Sequence, residues 1–231
     1  VKNLLKACLP FIWKRYCPIC DFRGRNFEDF GRPLRKEVRC PGCRSLERHR
    51  LVWWYFLRET DVMNSQPAML HVAPEPCLRP HFKEHIGESY LTADLLANDV
   101  DVNMDITEIQ YPDNTFDVIY CSHVLEHVPD DRKAMKEFLR VLNPDGFAVL
   151  MVPITAEQTV EDPSVTDPQE RLRLFGQEDH VRRYGPDFSE RLRGAGFVVD
   201  EMTPNRFCSE AEQRASRLPD EDRIYVCRRK H

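Results

Sequence analysis

Apolar positions along the chain fall into two patterns, short β-branched runs and residues three or four apart, and residues 112–153 show both most clearly. After the polar turn Pro112-Asp113-Asn114, the run Phe116–Cys121 has the length and composition of a buried strand. A polar, histidine-rich segment, Ser122–Pro129, follows. Ala134, Phe138, Leu139, Val141 and Leu142 then recur at helical spacing and predict a helix over Asp131–Leu142. Asn143-Pro144-Asp145-Gly146 stops that helix with turn chemistry, and Phe147–Val152 is a second strand. Strand, helix, strand with hydrophobic strands throughout predicts a parallel sheet covered on both faces. Ligands of such sheets sit beyond the carboxyl ends of the strands. Ser122, His123, Glu126 and His127 therefore fall at the mouth of a site.

The same alternation runs through the chain on either side. Ala68–Ala73 predicts a buried strand, followed by Pro74-Glu75-Pro76-Cys77 and a helix over Leu78–Ile86 closed by Gly87. Tyr90–Asp94 and Val100–Met104 predict two more strands. Asp94 ends the first, and Asp105-Ile106-Thr107 is the exit of the second. Phe188–Leu192 with Ala195 predicts a helix ended by Gly196, and Phe197–Met202 and Ile224–Cys227 predict a terminal strand pair. Asn205–Asp222 is charged and reads as mobile. The long connection Ile154–Pro186 is rich in proline and acids, and connections of this length usually cover a site.

The head of the chain is different. Cys17-Pro18-Ile19-Cys20 and Cys40-Pro41-Gly42-Cys43 are two CxxC knuckles joined by nineteen residues. Four thiolates fill the tetrahedral sphere of a structural Zn²⁺ and leave no position open for water. Metal binding would then fold a segment too small for a core of its own. Arg44–Arg50 leads into Leu51-Val52-Trp53-Trp54-Tyr55-Phe56-Leu57, which reads as one linking helix with Ser45 as N-cap. The expected organisation is an arm over 1–16, a zinc ribbon over 17–50, a linker helix over 51–66 and the sheet domain over 67–231.

Charge sharpens that division. Residues 1–50 hold 13 Lys and Arg against 5 Asp and Glu, a formal +8, and the remainder carries −13. A basic head can serve RNA or another anionic partner, for which Arg44, Arg48 and Arg50 are candidates, or it can dock on its own acidic body. The arm mixes Leu4, Leu5, Phe11 and Trp13 with Lys2, Lys6 and Lys14, which also allows peripheral membrane contact. No apolar run approaches the ~20 residues of a membrane span and no export signal stands out. Paired cysteines without such a signal point to a metal in a reducing cytoplasm.

The central block FDVIYCSHVLEHVPD…LRVLNPDGFAVLMVP resembles class I S-adenosylmethionine-dependent methyltransferases, especially the small-molecule group that includes quinone-biosynthesis enzymes. The resemblance extends over roughly Pro67 to Met202. It implies an α/β, doubly wound, mostly parallel seven-stranded sheet, here with a small zinc ribbon ahead of it. It also implies S-adenosylmethionine as cofactor. Asp94, followed by Leu95, matches the acid that takes the ribose hydroxyls. Asp105 and Ile106 match the acid that holds the adenine amino group and the residue covering the ring. Ser122, His123 and His127 line the same crevice. The chain departs from the family where the first strand ends: Ala73, Pro74 and Glu75 stand in place of a glycine-rich turn, and His71 replaces the usual acid. Glu75 is then the candidate partner of the cofactor's ammonium.

For the reaction, His123 is the expected base and His180 its rival. Phe175, His180, Arg182 and Tyr184 are expected to close over the acceptor, with Arg182 suited to an anionic one. The acceptor is read as a small molecule or pathway intermediate. The alternatives are ribosomal RNA, which ribbon-bearing guanine methyltransferases modify, and a non-catalytic cofactor-binding or adaptor role.

Overall fold

The computed structural model describes residues 14–230, so the arm expected over 1–16 lies, up to residue 13, outside the described residues. The elements begin with β1 (Arg15–Tyr16), β2 (Arg23–Gly24), β3 (Glu28–Phe30), β4 (Arg35–Arg39), α1 (Glu47–Glu59) and α2 (Val62–Ser65). There follow β5 (Met69–Val72), α3 (Arg79–Ile86), β6 (Tyr90–Asp94), β7 (Val102–Asn103), β8 (Phe116–Ser122), α4 (Asp131–Val141) and β9 (Leu142–Met151). The chain ends with β10 (Val160–Glu161), α5 (Pro168–Phe175), β11 (Arg182–Arg183), α6 (Phe188–Gly194), β12 (Phe197–Met202), α7 (Glu210–Ser216) and β13 (Ile224–Arg229). They divide into two compact units.

The first unit holds the described residues up to Met63 together with Pro76–His81 and Thr203–Asp222. Its strands pair as two small antiparallel ladders, β1 with β2 and β3 with β4. Helix α1 is buried at every position from His49 to Phe56, which its run of Trp and Phe permits. Its N-cap is Leu46 and not Ser45, because the Ser45 hydroxyl is buried 3.3 Å from Cys17 Sγ and is drawn into the cysteine cluster. The charged segment 205–222 is an ordered part of this unit. Ser209 and Glu212 form a capping box that starts α7, and Arg58 pairs with Glu212 at 2.6 Å. Charge alone read this stretch as mobile; the box and the ion pair give its polar groups partners.

The second unit, Asn64–Glu75, Phe82–Met202 and the described residues from Arg223 on, carries a seven-stranded sheet in the order β12-β13-β9-β8-β5-β6-β7. The five strands from β9 to β7 are mutually parallel, and β13 and β12 close the edge antiparallel. Val118, Ile119, Tyr120 and Cys121 in β8 are all at most 2% exposed, so both faces of the sheet are covered, as continuous hydrophobic strands require. Helix α4 starts on Asp130, whose side chain accepts from the Lys133 N–H, and buries Ala134, Met135, Phe138 and Val141. Strand β9 begins at Leu142, five residues ahead of the expected Phe147. Leu142 pairs with Phe116 and Phe147 with Val118, so the polar turn between them bulges out of the ladder. Gly146 is needed there: a Cβ would meet the Asp117 carbonyl oxygen at 2.7 Å. Strand β7 is shorter than expected, two residues in place of five. No helix among the described residues is long and apolar enough to cross a membrane.

Candidate functional site

The order of the strands locates the crevice. From β5 the chain moves outward to β6 and β7, then returns to the other side of β5 with β8. The switch point is therefore between β5 and β8, and the crevice opens at their carboxyl ends. Both strands end in a left-handed residue, Ala73 at φ 50° and His123 at φ 56°. Each is pinned by its own amide, Ala73 to the Ala93 carbonyl and His123 to the Met151 carbonyl, both at 2.8 Å. The glycine expected at the end of the first strand is absent, yet its backbone conformation is adopted by alanine. Such a conformation costs a residue with a Cβ about 1–2 kcal/mol.

His71, fully buried in β5, anchors the same turn. Its Nε2 lies 2.8 Å from Glu75 Oε2 and its Nδ1 2.7 Å from the Tyr90 hydroxyl, while the Tyr120 hydroxyl donates to Glu75 Oε1 at 2.9 Å. All groups are satisfied when His71 Nε2–H donates to the carboxylate and Nδ1 accepts from Tyr90. Glu75 is thus held at the strand end by two donors.

Asp94 and Asp105 occupy the neighbouring strand exits. The Leu96 and Ala97 amides both donate to Asp94 Oδ1, at 2.8 and 2.9 Å. The Thr107 amide and hydroxyl both donate to Asp105 Oδ1 at 2.8 Å, and these bonds hold its carboxyl below the usual range. In each case Oδ2 has no hydrogen bond among the described residues. Ser122, at the end of β8, is 6% exposed, and its hydroxyl has no hydrogen-bond partner among the described residues. An orphaned buried hydroxyl between two strand exits fits a site that a polar ligand completes. Leu95 is exposed, whereas Ile106 is buried in the core.

After β8 the chain makes a short 3-10 turn, Leu125–His127. His123 Nδ1 is 3.5 Å from Glu126 Oε1, with the histidine partly exposed and the carboxylate buried. The long connection packs against this turn. The Val181 amide donates to the Glu126 carbonyl at 2.9 Å, and His180 meets His127 edge to face, with ring centres 4.7 Å apart. Burial, with the neighbouring His127 adding to it, lowers the His180 pKa.

Phe175, His180, Arg182 and Tyr184 are all buried, whereas residues 154–174 of the same connection are half-buried or exposed. Arg182 is spent: its guanidinium donates to the Leu125, Val128 and Pro129 carbonyls and to Glu161. Tyr184 donates to Asp131, which also pairs with Arg191 at 2.6 Å. The anion contact expected of Arg182 is therefore replaced by a brace on the segment that carries His123. Residues far along the chain supply these carbonyls, so sequence pattern gives no sign of them.

In the first unit the four cysteines come together as their spacing demands. Cys17 Sγ and Cys43 Sγ lie 3.6 Å apart, as do Cys20 Sγ and Cys40 Sγ, and all four sulfurs lie within 4.8 Å of one another. These separations exceed a ~2.05 Å disulfide bond. They match the ~3.8 Å edge of a tetrahedron built on ~2.3 Å metal–sulfur bonds. Burial and the charge of Cys17 push the Cys20 thiol up to about 11. Arg50 is fully buried and donates to the Ser45, Val38 and Ser216 carbonyls, with its guanidinium 4.4 Å from the Phe27 ring centre. It is unavailable to an outside anion, unlike the exposed Arg44. A groove of 1060 Å³ in this unit, lined by Arg15, Glu47, Arg214, Arg217 and Asp220 among others, contains none of the expected site residues.

Residues 67–150 match the family model described as a methyltransferase domain. The "Uncharacterized methyltransferase YcgJ" of Bacillus subtilis (strain 168) is 34% identical over 74 residues, which is 32% of this chain and 28% of that protein. The "Ubiquinone/menaquinone biosynthesis C-methyltransferase UbiE" of Hydrogenovibrio crunogenus is 39% identical over 67 residues, covering 29% and 26%. The "Phosphoethanolamine N-methyltransferase 1" of Arabidopsis thaliana is 28% identical over 125 residues, covering 53% and 24%. The chain thus spans about a quarter of the length of these curated relatives. Among solved structures, YcgJ from Bacillus subtilis aligns with a TM-score of 0.52 at 17% identity, over 80% of this chain and all of that one. The [4+2]-cyclase SpnF aligns at 0.50 and 17%, over 80% and 83%. At such identities the likeness shows the fold alone, and a fold does not fix a reaction. The fold is that of class I methyltransferases.

Proposed function

We propose that the chain transfers a methyl group from S-adenosylmethionine to a small molecule or pathway intermediate at the carboxyl ends of β5 and β8. The observation that carries this reading is that Asp94, Asp105 and the orphaned Ser122 hydroxyl all stand at the carboxyl ends of sheet strands, within a segment matching a methyltransferase domain. Asp94 Oδ2 accepts from the ribose hydroxyls and Asp105 Oδ2 from the adenine amino group. Glu75, held by His71 and Tyr120, receives the ammonium in place of the missing acid. Bound there, S-adenosylmethionine supplies an electrophilic methyl carbon on its sulfonium. His123 takes the proton of the acceptor, with the Glu126 carboxylate beside it to steady the imidazolium.

The four cysteines are read as a structural Zn²⁺ site, closed to water and therefore not part of the reaction. Reduced thiols in that number favour a reducing compartment, so the reading is cytoplasmic.

A second reading, methyl transfer to RNA, is favoured by the formal +8 of residues 1–50. Four thiolates on one Zn²⁺ lower that to about +6, and burial of Arg50 withdraws one more guanidinium from the surface. The two readings part in one assay: methyl-labelled S-adenosylmethionine incubated with the protein and an extract holding both small metabolites and RNA. The relatives' names include carbon and nitrogen methylators, so quinols and phosphorylated amines are added as acceptors. Label in the low-mass fraction supports the small-molecule reading, and label released only by ribonuclease overturns it. RNA affinity that falls steeply with salt would point the same way.

A further inference from the structure

Beside the proposed methyl-transfer crevice the structure brings together three side chains that no sequence motif links. Glu126 and His127 lie on the 3-10 turn after β8, and His180 precedes β11. One ligand atom of each, a carboxylate oxygen and two imidazole nitrogens, falls within 4.8 Å of the others. Glu126 and His180 are 1% and 5% exposed, while His127 is one-third exposed and opens the group to solvent.

The hydrogen bonds around the imidazoles decide which nitrogens are offered. His180 Nδ1 lies 3.1 Å from the Phe175 carbonyl, which can only accept, so Nδ1 carries the proton and Nε2 presents its lone pair. That Nε2 is buried with no hydrogen-bond partner among the described residues. An unmet buried polar atom of this kind costs about 1–3 kcal/mol. His127 Nδ1 lies 3.2 Å from the exposed Asp179 carboxylate, an ion-pair contact that favours a proton on Nδ1. His180 is held as metal-binding imidazoles are, with the far N–H donated to a carbonyl. Backbone contacts fix the cluster: the Val181 amide bonds to the Glu126 carbonyl, and Arg182 clamps the carbonyls on either side of the turn.

We propose that Glu126, His127 and His180 bind a divalent transition metal through one carboxylate oxygen and two Nε2 atoms, leaving open coordination positions on the exposed His127 side. Two nitrogens and one oxygen suit Zn²⁺ or Fe²⁺ with room for further ligands. The open positions take an oxygen donor of the acceptor, a role that rests on the methyl-transfer reading, whereas the metal site itself does not.

The test therefore reads metal and not activity. The full chain is stripped, titrated with Co²⁺ and then Zn²⁺, and its bound metal is measured after desalting. Wild type is expected to hold two equivalents: one with the thiolate charge-transfer absorption of the cysteine cluster, and one that adds no thiolate band. His180→Ala and His127→Asn are each expected to keep the thiolate-bound equivalent and lose the other. The retained band shows that the cysteine cluster is intact, and circular dichroism reports whether the sheet domain is folded. Asp179→Asn, an exposed change, is expected to weaken the second equivalent about tenfold by releasing His127. A single equivalent in wild type overturns the proposal. So do two equivalents retained in both histidine variants.

Discussion

His71 Nε2 lies 2.8 Å from Glu75 Oε2, and through this contact a fully buried strand residue holds a carboxylate at the edge of the crevice. The pair takes the position of the glycine turn and acid that the resembling family carries. Glu75→Gln keeps the shape and removes the charge. It is expected to weaken S-adenosylmethionine binding about tenfold, about 1.4 kcal/mol, and to lower the unfolding midpoint slightly, because the new amide N–H₂ meets a donor that a carboxylate oxygen now accepts from. Unchanged affinity in a calorimetric titration would show that the ammonium is held elsewhere.

The cysteine cluster makes a separate claim about stability. Removing the metal with a strong chelator, or replacing Cys40 with Ser, is expected to open β1–β4 and expose the Arg50 guanidinium now bonded to the Val38 and Ser45 carbonyls. Limited proteolysis should then cut first within residues 21–39, leaving the sheet domain intact. Equal protection with and without metal would contradict a structural role.

Asp131 is 1% exposed at the first position of α4, with Arg191 at 2.6 Å and the Tyr184 hydroxyl at 2.5 Å. Asp131→Ala leaves a buried guanidinium with one counter-charge fewer and is expected to cost about 3 kcal/mol, read from urea unfolding. A loss below about 0.5 kcal/mol would mean that Glu161, which also pairs with Arg191 at 2.8 Å, suffices alone.

Much of the sheet domain was legible because its signal is local. Phe116–Cys121, the apolar spacing of α4, and the terminal pair of β12 and β13 all follow from neighbouring residues. The clustering of Cys17, Cys20, Cys40 and Cys43 was legible for the same reason. Guanidinium roles were not. Arg50 and Arg182 look like surface cations in the sequence, but carbonyls brought from Ser216 and from Leu125 bury them. The missing glycine was visible; that Ala73 would take the left-handed backbone was not, since that depends on its amide reaching Ala93 on the next strand. The meeting of His127 with His180 had no sequence signal either, because the two lie on opposite sides of α4 and β9 in the chain.

Asp222 gives a pH dependence of unusual sign. Burial, then the charges of Glu47 and Glu221, raise its pKa from 3.8 to about 6. The folded state keeps this proton longer than the unfolded chain. No penalty exists below pH 3.8, stability falls as pH rises from there to about 6, and the penalty is full above that. Asp222→Asn is expected to raise stability at pH 7 by about 1–2 kcal/mol, after discounting for partial solvent access, and to flatten this slope. A variant that loses stability at pH 7 would reverse the assignment.

The claim on which the rest depends is that a nucleoside sits across the ends of β5, β6 and β8. Titration calorimetry with S-adenosylmethionine tests it directly, using wild type beside Asp94→Ala. The expected result is one molecule bound per chain, weakened at least tenfold in the variant because the ribose loses its acceptor. Absence of binding to the folded wild-type chain, or equal affinity in both, would contradict it.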